Sequence, residues 1–330
     1  MAILATQKVL TLDYWKIAQD LKQGDIVFDR LGRKVRIKLV QHLDKRPCYR
    51  VWFKDGTSVC GDGNLKLPVE TPKYRKRIFE YKGVKKFKRP LVLKPLSELI
   101  NLELLDKRNR LVYSVPTAGM LEFPIMDLPV PPFVFGLWFF CRRKDGTMKI
   151  PAQYMDEVME RLKDYGYLQT YWRDPAKRYR VYSTKPTVMS HLAPNIPYKI
   201  PNNYLLASSE QRIELLSGIM HAKPNQYNQK LDTFRFTSKH LPTVKRVQGL
   251  AESLGCKTVL EGPDKINGYT VFIKTKLKLL PQQTPKPAKV RQNWRLITKV
   301  EEITPQACVH IEIDGEDNSM LVEEGFIACL

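Results

Sequence analysis

Residues 73–89, KYRKRIFEYKGVKKFKR, hold nine lysines and arginines against one glutamate. Lys73, Arg75, Lys76, Arg77, Lys82, Lys85, Lys86, Lys88 and Arg89 alternate with Tyr74, Phe79, Tyr81 and Phe87. Cations in such a run grip phosphate oxygens, and rings between them stack on unpaired bases. The competing reading is a charged hairpin with its rings turned to a core. A second cluster combines Arg142, Arg143 and Lys144 with Arg173, Lys177, Arg178 and Arg180. Tyr167, Tyr171, Trp172, Tyr179 and Tyr182 stand among the latter four. A third run, 274–291, has six cations and no acid, and reads equally well as a solvated linker.

Other reactive side chains are sparse. The six cysteines are Cys48, Cys60, Cys141, Cys256, Cys308 and Cys329. None forms a C-x-x-C or a histidine-paired spacing, so they read as buried, reduced thiols. No metal and no cofactor are expected from them.

The charge balance points the same way as the clusters. The net charge is +21, yet residues 301–330 contain eight acids and no lysine or arginine. The other 300 residues therefore carry +29. A field of that size attracts polyanions through phosphate contacts and counterion release. Nucleic acid is the leading partner, and the acidic C-terminal segment is a candidate protein-docking face. The longest apolar run, Phe133 to Cys141, is far too short to span a bilayer, and no signal-peptide pattern opens the chain. The expectation is a cytoplasmic protein without a membrane partner.

These residues need elements to hold them. Segments 8–11, 25–28, 34–41 and 48–53 are rich in strand formers and separated by the turns DRLGR and FKDGTSV. The C-terminal stretch from Ala307 is again strand-rich. Proline clusters at 122–133 and 279–294 mark seams. Between them, 154–167 and 241–255 have helical apolar spacing and reach Gly166 and Gly255 as stops. Residues 208–222 read as a helix with a serine cap, and RYRVYS, TFRFTS and GYTVFIKT read as strands. The middle thus holds two similar halves, each a glycine-bearing helix, strands, and an amphipathic helix. The fold class is mixed: an all-β domain interrupted by an α+β domain of two-fold pseudo-symmetry.

On these motifs the chain resembles an intein, a Hint self-splicing domain split by a LAGLIDADG homing endonuclease. CVHIEID followed by MLVEEGFI resembles the last intein strands, and KVLT, LKQGDIVFDRLG and CYRVWFKDGTSV resemble the opening blocks. FVFGLWFFC at 133–141 and QRIELLSGIMHAK at 211–223 resemble the two LAGLIDADG helices, with Gly136 and Gly218 at the small positions where they meet. The resemblance implies a Hint-like domain at 1–125 plus 292–330, with a basic insertion at 71–95. It implies an endonuclease-like domain at 126–291. Inteins are common in phage genes, so a phage origin and a host-cell cytoplasm are in keeping with it.

Against the family pattern the chemical groups are missing. Ala2 stands where splicing needs a cysteine or serine nucleophile. Asn64 or Leu65 stands near the place of the block histidine, and Cys329–Leu330 replaces the closing His-Asn. Each LAGLIDADG helix ends in an acid that holds a divalent metal against the phosphates. Here those positions are Cys141 and Lys223. Asp145 and His221 lie nearby in sequence but out of register. Lys223 would favour a phosphate where a metal once sat, or simply suit a helix end. The expectation is a catalytically inactive nucleic-acid-binding protein, RNA favoured and DNA next. An endonuclease with a displaced metal site and a structural adaptor are the alternatives.

Overall fold

The computed structural model describes residues 2–70, 91–142, 148–166, 169–173, 179–184, 199–223, 226–264, 268–281, 283, 294–315, 318–323 and 327–329. The chain divides into an outer unit, Met1–Glu122 with Val290–Leu330, and an inner unit, Phe123–Lys289.

The outer unit opens with β1 (Ala2–Leu4), β2 (Lys8–Leu10), β3 (Trp15–Ile17), β4 (Ile26–Phe28), β5 (Lys34–Phe53), β6 (Ser58–Asp62), β7 (Lys66–Val69), β8 (Val92–Pro95), the one-turn helix α1 (Leu96–Leu99) and β9 (Ser114–Pro116). The inner unit follows with α2 (Pro132–Cys141), β10 (Met148–Pro151), α3 (Met155–Asp164), β11 (Gln169–Arg173), β12 (Tyr179–Thr184), α4 (Asn202–Leu205), α5 (Ser209–His221), β13 (Tyr227–Asn228), β14 (Thr233–Ser238), α6 (Leu241–Ser253), β15 (Lys257–Asp264) and β16 (Gly268–Lys274). The chain returns to the outer unit with β17 (Trp294–Ile313), β18 (Met320–Val322) and β19 (Ile327–Cys329).

Two twenty-residue strands organise the outer unit. β5 and β17 pair antiparallel from Phe53↔Ile297 to Ile37↔Ile313. They join the six-stranded sheet β4-β5-β6-β1-β17-β9. The sequence predicts two strands, 34–41 and 48–53, where the chain forms one. Val35 and Ile37 at one end and Cys48, Val51 and Phe53 at the other are buried, whereas the stretch between them is largely exposed and lacks alternation. Pairing with β17 carries the strand through. Pro47 and Pro305 sit where the register shifts between Ile303 and Gln306, so their missing N–H groups break no regular ladder. The core beneath gathers Ile3, Val9, Val27, Ile37, Val51, Leu67, Val309, Ile311, Val322 and Ile327.

The inner unit repeats one pattern twice. α2, β10, α3 and the hairpin β11–β12 form the first half; α5, β13–β14, α6 and the hairpin β15–β16 form the second. The sheets have matching orders, β10-β12-β11 and β14-β16-β15, with β13 added at the edge of the second. The amphipathic helix thus lies between strands in each half, whereas the sequence predicts it after them. Gly166 and Gly255 follow α3 and α6 with φ of +76° and +72°, as expected of left-handed helix stops. Ser208 caps α5 in a capping box: its side chain accepts from the Gln211 N–H, and the Ser208 N–H donates back to Gln211 Oε1.

α2 and α5 cross backbone to backbone. A Cβ on Gly218 would lie 2.1 Å from the Phe133 carbonyl oxygen, and one on Gly136 would lie 2.5 Å from that of Leu215. Both helices are deeply buried at this crossing. Gly218→Ala is predicted to destabilise the inner unit by roughly 1–3 kcal/mol, since a methyl must push two backbones apart. Gly249→Ala in α6, where nothing lies within 4 Å, is predicted to stabilise by about 0.5–1 kcal/mol. Thermal unfolding of the two variants checks both signs.

Candidate nucleic-acid interface

The ends of the two crossing helices converge on one aromatic ring. Phe140, in the last turn of α2, meets Phe236 of β14 edge-on at 4.9 Å. The Lys223 Nζ, two residues past α5, lies 5.2 Å from the centroid of the same ring. Cys141 beside Phe140 is buried, its thiol donates to the Leu137 carbonyl at 2.7 Å, and burial pushes its pKa far above the usual thiol range. A buried protonated thiol and an ammonium cannot serve a hard divalent cation, which takes oxygen ligands. The residues at the two acid positions do not fit a metal.

Lys223 is engaged by its own sheet. Its Nζ donates to the Thr237 carbonyl at 2.9 Å. Among the described residues β13 pairs β14 at Phe234 and Thr233, and the Thr237 carbonyl that the lysine caps lies further along β14. Burial pulls the ammonium below the ordinary lysine pKa of 10.5. The cation expected to face phosphate is therefore held against a carbonyl and a ring. His221 is likewise committed: Nδ1 lies 2.7 Å from the Ser217 carbonyl and Nε2 lies 2.8 Å from Glu157. Asp145 lies outside the described residues.

An open cationic face adjoins this point. In the sheet of the second half, partners across the strands share a face. Arg235 stands opposite Phe272, and Phe272 opposite Val259; Thr237 stands opposite Thr270; Lys257 stands opposite Lys274. Phe234, Phe236, Val271 and Ile273 point the other way and are buried on the α6 side. The outward face thus holds Arg235, Lys257, Val259, Phe272, Lys274 and, opposite Thr270, the acid Glu261, with Arg235, Glu261 and Lys274 exposed. Lys276 and Lys278 follow, also exposed. Arg235 was not among the sequence candidates, although the alternation in TFRFTS marks it as the outward residue of its strand.

The remaining candidates separate into three groups. Arg142 lies with its guanidinium 4.7 Å from the Trp138 ring and 5.1 Å from that of Phe139, a cation–π arrangement at the end of α2. Arg173 and Arg180 oppose one another in the backbone register of β11 and β12. Lys73, Arg75, Lys76, Arg77, Lys82, Lys85, Lys86, Lys88, Arg89, Arg143, Lys144, Lys177 and Arg178 lie outside the described residues. In the outer unit, Ala2 pairs with His310 in the sheet and packs its methyl with Cys48, Cys60 and Cys308. Cys329 is buried in β19 opposite Met320, and burial pushes its thiol pKa up. Leu330 lies outside the described residues.

No family model matches the chain. It is 25% identical over 343 residues to a replicative DNA helicase DnaB of Mycobacterium intracellulare, an alignment covering 95% of this chain. The chain spans only 55% of that helicase's length. Among solved structures, the MchDnaB-1 intein matches 33% of this chain and 65% of its own, at 18% identity and a TM-score of 0.23. I-DmoI in complex with its target DNA matches 44% of this chain and 87% of its own, at 12% identity and a TM-score of 0.32. The described residues form a β-rich outer unit and an inner unit that repeats a helix–strand–helix–hairpin pattern around a glycine crossing. Among the described residues, no helix is long and apolar enough to cross a membrane.

The engagement of Lys223 has a pH signature. Between its lowered folded pKa and the ordinary 10.5, the unfolded chain binds more protons, so this group makes stability rise with pH in that window. Lys223→Gln is predicted to make the rise in urea midpoint toward pH 10.5 shallower than in the wild type; an unchanged slope means the ammonium is not desolvated in the folded state.

Proposed function

We propose that the chain is a catalytically inactive nucleic-acid-binding protein on an intein–endonuclease scaffold, with RNA as its preferred polynucleotide. The observation that carries this reading is the junction at Phe236. The helix ends that bear paired acids in the LAGLIDADG pattern bear a buried thiol and a carbonyl-bound ammonium here. Beside them, a sheet face with Arg235, Phe272 and Lys274 still presents cations and a ring outward.

The reading follows from what each group can do. Lysine and arginine neutralise phosphates at any sequence, and Phe272 offers a stacking surface to an unpaired base. The long cationic runs of the sequence add to the field that draws a polyanion in. RNA is preferred because single-stranded loops expose bases to rings, whereas a duplex buries them. Ala2 carries a methyl group in place of a nucleophile, which supports loss of splicing as well. Likeness to a replicative DNA helicase supports a setting in nucleic-acid metabolism.

Filter binding across salt tests the proposal. The wild type is predicted to bind an unstructured RNA with a steep fall of affinity in rising salt. Arg235→Ala and Lys274→Ala are each predicted to lower that slope by about 1. Duplex DNA that displaces the RNA at equal concentration overturns the RNA preference. For inactivity, supercoiled plasmid with Mg²⁺ is predicted to stay uncut; nicking that Asp145→Asn abolishes establishes a displaced metal site instead.

A further inference from the structure

The outer unit contains a cleft of about 880 Å³ whose lining includes Ala2, Arg30, Arg46, Asp62, Lys66 and His310. That volume lies in the ~300–1,000 Å³ range of clefts that hold small ligands. Among the described residues Asp62 is the one carboxylate lining it, and it is already engaged. It accepts from the Leu65 N–H at 3.0 Å and faces the Arg46 guanidinium at 3.4 Å. Among the described residues the buried Arg46 Nε has no acceptor, while the side chain as a whole is 36% exposed and lines the cleft, where its guanidinium can meet an oxyanion. Lys66 adds a further cation to the lining and is exposed on its strand.

One wall of the cleft is apolar and open. Leu93 of β8 lines it and is 47% exposed. Its partner strand β7 carries Lys66, so one hairpin supplies both an apolar wall and a cation. Cations for phosphate and an uncovered apolar side chain for a base are the two halves of nucleotide recognition. Ala2 also lines the cleft and brings no nucleophile to it. The chain between β7 and β8 includes the run 73–89 with its nine cations, so the cleft is continuous in sequence with the most basic part of the molecule.

We infer that this cleft is a second nucleic-acid site, holding a nucleotide of a single strand with its phosphate against Arg46 and Lys66 and its base against Leu93. The inference rests on the nucleic-acid-binding reading and adds a site in the other unit. Binding of an end-labelled uridine dodecamer to Lys66→Glu, Leu93→Asp and the inner-unit variant Lys274→Ala tests it, with thermal unfolding as the check on folding. Lys66→Glu is expected to weaken binding at least several-fold and reduce the salt slope by 1 or more; Leu93→Asp is expected to weaken binding through loss of the apolar wall. Unchanged affinity in both folded variants, with Lys274→Ala still impaired, overturns the cleft site alone. Failure of the wild type to bind overturns the cleft site and the parent reading together. Displacement of the dodecamer by a polyglutamate peptide at equal concentration overturns the nucleotide assignment in favour of an acidic peptide.

Discussion

Two helices can approach until backbone meets backbone only where neither carries a side chain at the crossing. α2 and α5 meet that condition at Gly136 and Gly218, each set against a carbonyl of the other helix. The crossing is followed by a second requirement. Helices this close leave no room for large side chains between them, so Phe133, Phe135, Leu137, Leu215 and Ile219 pack around the contact and are fully buried. The residues flanking the glycines therefore serve the core.

The contacts that hold this crossing are independent of the helix ends. The glycine contact, the capping box at Ser208 and the link from Arg212 to Ser253 that ties α5 to α6 do not involve Cys141 or Lys223. Desolvation draws the Arg212 guanidinium down to about 10, and its donors reach the carbonyls of Ala207 and Ser253, at 2.8 Å each. At the helix ends, the Cys141 thiol is satisfied by the preceding turn and the Lys223 ammonium by the Thr237 carbonyl.

Much of this organisation was legible in the residues. The stops at Gly166 and Gly255 and the cap at Ser208 follow from local rules of helix geometry, and the glycine pair was read from the resemblance to LAGLIDADG helices. The continuity of β5 and β17 was not legible, because Pro47 and Pro305 interrupt the alternation and only the partner strand, over 240 residues away, restores the pairing. The order of elements within each half was blurred because strands and amphipathic helices alternate at short intervals. At the candidate interface, Arg235 was readable from alternation but lay alone among neutral neighbours, whereas the dense cationic runs drew the eye. The fate of Lys223 was hidden, since it depends on the carbonyl of Thr237 in a different element.

The central claim is that the outward face of β14, β16 and β15 holds a polynucleotide strand next to a chemically silent helix junction. Photo-crosslinking with a thiouridine-substituted RNA, followed by mass spectrometry of the inner unit's peptides, addresses it most directly. The account predicts crosslinks on the strand segments carrying Arg235, Phe272 and Lys274. Crosslinks confined to the α6 side of the same sheet, or to no peptide of the inner unit while RNA stays bound, would contradict it.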